Sequence, residues 1–334
     1  MADPDVISDR EQYVQISKTW RDLTDIVSTY REYCAAEREL AEAQELLGDA
    51  DMRQLAETEI ERLQQQLDQL EQKLRILLLP RDPNDEKDVI IEIRPAAGGD
   101  EAALFAGDLF RMYVRYAERC GWKYEVLSAQ ETGIGGYNDV VLSIQAPGAY
   151  SRLKFESGVH RVQRVPATES SGRIHTSTAT VAVLPEVEEV EVQINPKDIE
   201  MDVYHSSSAG GQNVQKVATA IRVVHKPTGL IVTCEDERSQ LQNKEKALRM
   251  LRAKLYEREM EAQQNARTEA RRSQVGSGER SEKIRTYNFP DGRVTDHRIG
   301  LTIHNVAGVL DGAIQPFIDA LIAADQSEKL RAEA

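Results

Sequence analysis

The first 79 residues carry apolar positions at a helical period and no proline after Pro4. Within them Ile60, Leu63, Leu67, Leu70, Leu74 and Leu77 are spaced alternately three and four apart, the spacing of an a/d seam between packed helices. The strict repeat is short, which predicts a small helical bundle or hairpin rather than a long coiled coil. Pro80 and Asp82-Pro83-Asn84-Asp85 close the region as a linker. The period then changes to two, and Val89–Ile93, Tyr124–Leu127 and Asp139–Ile144 read as strands. Between the first and second, Ala102, Leu104, Phe105, Leu109, Phe110, Tyr113 and Val114 mark a helix from Asp100 to Arg119, with Asp100 and Glu101 in its acidic first turn. Thr178–Leu184 and Val187–Ile194 read as further strands, leading to a domain boundary at Asn195-Pro196. Ile221–His225 and Leu230–Cys234 flank the turn signal Lys226-Pro227-Thr228-Gly229 and predict a hairpin. A long charged helix is expected from Ser239 to Arg272, broken by Gly276-Ser277-Gly278. The chain through Arg298 is polar and turn-rich, and apolar spacing returns as a last helix from Val306 to Ile322.

A chain of 334 residues exceeds the size at which one core keeps growing, so several domains are expected, and the pattern makes them α+β. No apolar run approaches the ~20 residues that span a bilayer, and the start has neither a basic segment nor an apolar core for export. A cytoplasmic protein is expected. Cys34, Cys120 and Cys234 lie far apart without metal-ligand spacing, so they read as reduced thiols, and neither a metal nor a cofactor is called for. The net charge of −14 argues at first against a nucleic-acid partner. It conceals an asymmetry: residues 1–85 hold roughly 20 acids against roughly 10 bases, and residues 201–300 roughly 18 bases against roughly 13 acids. An acidic arm is attached to a basic domain.

Two loops carry candidate chemistry. Gly210-Gly211-Gln212 lies in a run of small residues from Ser206 to Gly211, followed by Asn213-Val214-Gln215-Lys216. Adjacent glycines carry no Cβ, so the backbone can approach a ligand through a narrow space. Alone, the tripeptide reads as a flexible loop. The second run extends from Gly158 to Ser177 and contains Pro166-Ala167-Thr168.

Together these motifs resemble the bacterial class-I peptide chain release factors, from about Asp3 to the C-terminus. Ala209-Gly210-Gly211-Gln212-Asn213-Val214 with the following basic hairpin is similar to that family's hydrolysis domain. Pro166-Ala167-Thr168 matches the members that read UAA and UAG, not the Ser-Pro-Phe of those that read UAA and UGA. Ser208 departs from the glycine usual in the family, and the chain starts as if inside the family's N-terminal domain, lacking roughly its first helix.

The resemblance implies translation termination without stand-alone enzyme activity. Gly210, Gly211 and Gln212 enter the peptidyl transferase centre, where the Gln212 backbone N–H stabilises developing charge and its side chain, which the family carries as N5-methylglutamine, selects water. The motif contains no general base; His205 and His225 are weak candidates. Pro166, Ala167 and Thr168 read the codon with His175, Ile174, Gln163 and Thr176, while Gly98 and Glu101 contact the first uridine through backbone groups. Thr168 has one hydroxyl that donates and accepts, so it suits uridine and an adenine amino group together; the His175 ring stacks to separate third base from second; Gln163 and Thr176 tolerate adenine or guanine in third place. A strand histidine with backbone partners is the plainer reading of His175, and a helix-dipole acid that of Glu101.

The implied partners are the ribosome through its 23S and 16S rRNA, the mRNA stop codon, P-site peptidyl-tRNA, a class-II GTPase release factor and a glutamine methyltransferase, with no membrane. The implied division is an N-terminal helical domain over 1–85, a codon-recognition domain over 86–194 plus 294–334, a hydrolysis domain over 195–278 and a switch loop over 279–293. Three other readings compete: a rescue factor that carries Gly-Gly-Gln but reads no codon, a freestanding hydrolase, and a coiled-coil RNA adaptor. The Pro166-Ala167-Thr168 context opposes the first, the absence of a Gly-x-Ser-x-Gly elbow or His-Glu-x-x-His the second. The third leaves Gly-Gly-Gln unexplained.

Overall fold

The computed structural model describes residues 10–48, 52–80, 82–166, 172–186, 194–205, 218–237 and 239–333. The chain divides into two compact units, Met1–Asp85 with Ile314–Ala334, and Glu86–Ala313. In the first, α1 (Arg10–Glu45) and α2 (Arg53–Leu78) pack along each other. Their core is Ala36, Ala43, Leu63 and Leu70, lined by Tyr33, Leu40, Ile60 and Leu67. The seam read from leucine spacing is therefore real, and α1 answers it with its own three-four spacing at 33, 36, 40 and 43.

The second unit is built on an eight-stranded sheet. Its strands are β1 (Val89–Pro95), β2 (Lys123–Glu131), β3 (Tyr137–Gln145), β4 (Gly158–Arg164), β5 (His175–Pro185), and, from the chain's far end, β9 (Lys283–Asn288), β10 (Arg293–Asp296) and β11 (Thr302–Ile303), in the order β11-β10-β9-β4-β5-β1-β3-β2. All neighbours are antiparallel except β4 and β9. Helix α3 (Asp100–Cys120) buries Ala102, Phe105, Ala106, Leu109, Met112, Tyr113 and Tyr116, a stripe at spacings of three and four that packs on the sheet. A short α4 (Ala149–Leu153) precedes β4.

Inserted between β5 and β9 is a smaller body. Its sheet is β6 (Ile199–Tyr204), β7 (Ala220–His225) and β8 (Leu230–Cys234), in that order and antiparallel. The N-terminal half of α5 (Gln240–Val275) covers it, so that Ile221, Val223, Val232 and Cys234 meet Ala247, Leu251 and Leu255. Farther along, α5 returns to the large sheet: the Gln274 side-chain amide donates to and accepts from the Val183 backbone at 2.9 Å each, and Arg267 pairs with Glu92 at 2.9 Å.

The outcome departs from expectation at the C-terminal third. The last helix is two, α6 (Val306–Leu310) and α7 (Gln315–Glu333). Gly312 separates them with φ +92°, and a Cβ there would lie 2.7 Å from the Tyr116 backbone N. The sequence expectation attached the last helix to the codon-recognition domain, whereas α7 groups compactly with α1 and α2. Within the expected switch loop, β9 is an interior strand, because Arg285 and Tyr287 are fully buried. Of the expected strand Val187–Ile194, residues 187–193 lie outside the described residues.

Arg285 is held by charge. Its two terminal nitrogens donate to the Glu156 carboxylate at 2.7 and 2.8 Å, and Asp296 accepts at 3.1 and 3.3 Å. Asp296 also accepts from Arg298 at 2.7 Å, and the Tyr113 hydroxyl donates to Glu156 at 3.2 Å. Burial alone would raise the Glu156 carboxyl; the Arg285 charge outweighs it and holds the group below its ordinary value. His160 lies in the same interior, with Nε2 2.9 Å from the Glu156 carbonyl oxygen and Nδ1 3.3 Å from the Tyr287 hydroxyl. Burial, with Arg285 adding to it, pushes its imidazole from 6.5 down to about 4. An unfolded chain takes up a proton there near pH 6.5, and the folded chain only near pH 4. Stability from the buried neutral ring is therefore complete above about 6.5 and declines as pH falls toward 4. Denaturant titrations are expected to show a loss of roughly 3 kcal/mol across that window, with a shallower slope between pH 6.5 and 5 in His160→Gln. An unchanged slope in the variant would assign the acid sensitivity elsewhere.

Candidate functional site

The run from Gly158 to Ser177 contains β4 and the start of β5, which pair antiparallel. Cross-strand pairing places Gln163 opposite Thr176 and Arg164 opposite His175. Directly opposed residues share a face of the sheet and successive ones alternate. Gln163 and Thr176 thus stand side by side on one face, and His175 stands beside Arg164 on the other. Ile174 and His175 are exposed, and Pro166 is buried. Ala167 and Thr168 lie outside the described residues.

The start of α3 comes against this hairpin. Ala97 and Thr178 exchange backbone and side-chain bonds: the Thr178 N–H donates to the Ala97 carbonyl at 2.8 Å, and the Ala97 N–H to Thr178 Oγ1 at 3.0 Å. Gly98, at φ +137°, sits so close to β5 that a Cβ would fall 2.2 Å from Ser177 Oγ. Only glycine permits that approach. The first turn of α3 leaves backbone N–H groups without intrahelical acceptors, next to Ser177 and hence to Thr176. The structure therefore brings Gly98 and Glu101 against the Arg164–His175 face of the hairpin, with the Gln163–Thr176 pair on its other face.

Glu101 has a further partner. Its carboxylate, buried by the fold, accepts from Arg164 Nε at 2.5 Å, and Arg164 Nη1 reaches Asp108 at 2.6 Å. The Arg164 guanidinium lies over the Phe289 ring, 5.3 Å from its centroid. The sequence reading missed Arg164, Asp108 and Phe289. One signal was present: Glu101 and Asp108 are seven residues apart, which stacks two acids on one face of a helix that otherwise buries apolar groups.

Gly210, Gly211 and Gln212 lie outside the described residues, within 206–217. The ends of that segment are described. Tyr204 and Ala220 are register partners on β6 and β7, so the chain leaves and re-enters the small sheet at one place. Asn243, fully buried on α5, fixes the returning end by donating to the Thr219 carbonyl at 2.8 Å; it also donates to the Glu237 carbonyl and accepts from the Glu237 N–H. His205 directly precedes the segment. His225 instead sits at the other end of β7, about 17 Å away by strand rise, with Nδ1 2.8 Å from Thr228 Oγ1 in the turn.

Among the described residues no cluster of His, Cys, Asp or Glu could hold a metal ion. No helix among them is long and apolar enough to cross a membrane.

Residues 1–181 match the PCRF domain and residues 188–298 the RF-1 domain. The chain is 56% identical over 337 residues to peptide chain release factor 1 of Desulfitobacterium hafniense, covering 100% of this chain and 95% of that one. It is 57% identical over 333 residues to peptide chain release factor 1 of Acetivibrio thermocellus, covering 99% and 92%. Among solved structures it is similar to RF2 of Thermus thermophilus, with a TM-score of 0.51 at 37% identity over 97% of this chain and 91% of that one.

Proposed function

The chain belongs to the peptide chain release factors, and from that premise we propose which of its residues read the stop codon and which bring about release. It terminates translation on the ribosome, reading UAA and UAG in the A site and promoting hydrolysis of the peptidyl-tRNA ester. The observation that supports the residue assignment is that three parts converge on one hairpin: the α3 N-terminus at Gly98 and Glu101 on its Arg164–His175 face, the Gln163–Thr176 pair on its other face, and the arms at Pro166 and Ile174–His175. A codon threaded there meets free backbone N–H groups at its first base and side chains with both donor and acceptor capacity at its third. Thr168 addresses the first two bases, and the His175 ring separates the third.

Release is water attack on the ester carbonyl carbon. The bond to the tRNA 3′ oxygen breaks, and the proton lost by water ends on that oxygen. The Gln212 backbone N–H donates to the charge that develops, a contribution that grows toward the transition state. The Gln212 side chain, as N5-methylglutamine after a methyltransferase has acted, lines the water site. The ribosome supplies the rest of the centre, so the protein is not an enzyme by itself. Exposed Arg249, Arg252 and Lys254 on α5 suit contacts to 23S rRNA phosphates, which position without specifying.

The functional divisions are an N-terminal helical domain over 1–85 joined by 314–334, codon recognition over 86–194 with 294–313, hydrolysis over 195–278, and a switch over 279–293, acting on cytoplasmic ribosomes. Because Arg285 and Tyr287 anchor β9, a reordering on codon recognition costs least in the turns on either side, 276–282 and 289–292.

Formyl-methionine release from ribosomes programmed with UAA, UAG, UGA or a sense codon tests this reading. Release on UAA and UAG alone is expected. Equal release on UGA would reject the codon assignment, and codon-free release would make the protein a rescue factor.

A further inference from the structure

We propose that Arg164 is a positioning residue for codon reading, holding the first-base contacts at Gly98 and Glu101 in register with the hairpin that reads the other two bases. This rests on the codon-reading assignment above and deepens it. Arg164 is the last residue of β4, two positions before Pro166. Its guanidinium reaches two carboxylates two turns apart on α3, Glu101 at 2.5 Å and Asp108 at 2.6 Å. The three side chains are 19%, 3% and 17% exposed, so the pairs are shielded from solvent and salt. Burial disfavours the Arg164 charge; Asp108 and Glu101 more than offset this and hold it above its ordinary range.

The fork geometry matters. A planar guanidinium bonded to acids seven residues apart fixes both the height and the rotation of α3 against β4, which a point charge cannot do. Two contacts extend the arrangement. The Phe289 ring lies under the guanidinium, and the Phe289 N–H donates to the Gln163 carbonyl at 3.0 Å. The segment after β9 is thereby tied to the third-base reader and to Arg164 at once. Glu101 has one carboxylate oxygen committed to Arg164 and the other buried, so its side chain is engaged within the fold and its backbone is the part left for a first-base contact. Arg164 itself does not need to touch the codon; it acts through the residues it holds.

The test uses the full chain and measures released formyl-methionine against factor concentration on UAA, UAG, UGA and sense-codon ribosomes, with wild type, Arg164→Ala, Arg164→Lys and Asp108→Asn. Arg164→Ala is expected to raise the half-saturating concentration on UAA and UAG on the order of tenfold and to narrow the ratio of stop to sense release. Its release rate at saturating factor should stay near wild type. Arg164→Lys and Asp108→Asn should fall between. An unchanged half-saturating concentration and stop-to-sense ratio in Arg164→Ala would overturn the proposal. So would a reduced active fraction with both quantities unchanged, which is the signature of a merely structural role. Wild type that releases equally on UAA and sense codons would instead remove the codon-reading assignment, and this proposal with it.

Discussion

Gly211→Ala is expected to lower the rate of release at saturating factor by about 10²–10³-fold, the size seen when one oxyanion donor is removed, while ribosome binding stays at its wild-type level. The reasoning is steric and local. Gly210 and Gly211 leave the backbone before Gln212 bare of side chains, and on the proposed reading this lets the Gln212 N–H come within hydrogen-bond distance of the ester. A methyl group at 211 occupies that space and restricts φ, so the donor is displaced just where charge develops. On the same reading, binding draws on the codon hairpin and on the basic face of α5, not on this tripeptide. Gln212→Ala keeps the backbone donor and is expected to cost much less, mainly in selectivity for water over larger nucleophiles. Single-turnover release and a separate binding titration distinguish the two. If Gly211→Ala weakened binding as much as release, the tripeptide would be an anchor instead of part of the reaction centre.

Glu156→Gln is expected to destabilise the protein by about 3–5 kcal/mol, the usual cost of breaking a fully buried ion pair on one side only. Arg285 and Glu156 are both inaccessible to solvent and share two short bonds. With a neutral amide opposite it, the guanidinium loses one of its two carboxylates, and the other, Asp296, is already engaged by Arg298. Denaturant unfolding followed on the large unit measures the loss. Combining Glu156→Gln with Arg285→Met removes the buried charge that lost its carboxylate and should be less damaging than the sum of the single changes. Strict additivity would mean that the two side chains do not act as a pair.

Much of the fold was legible because its periodicities are clean. Leu63 and Leu70 fall on the seam that their spacing announced, and the β7–β8 hairpin forms around its Pro-Thr-Gly turn. Strand β9 was not legible. Its inward residues are Arg285 and Tyr287, and an arginine reads as surface until the carboxylates that neutralise it, Glu156 and Asp296, are known to be near. Those partners lie 129 and 11 residues away, and local pattern carries no trace of the first. The break at Gly312 was hidden for a similar reason: the apolar spacing continues on both sides, and what ends the helix is a close approach to Tyr116. At the site, the tripeptides and Gln163, Thr176, Gly98 and Glu101 came from motif. The tie from Arg164 to Glu101 and Asp108 came only from three dimensions.

The parallel pairing of β4 with β9 has a consequence for the order of events during synthesis. The two strands are adjacent in space, yet the whole body built on β6–β8 is translated between them. Until β9 has left the exit tunnel, β4 has an open edge, and Glu156 awaits the arginine that neutralises it. Nascent chains cut short before about residue 290 therefore hold a codon hairpin without its foundation, since long-range pairing of this kind forms late. A truncated product cannot become a partial reader of stop codons, and the cell is spared a factor that recognises the end of a message but has no means to act on it.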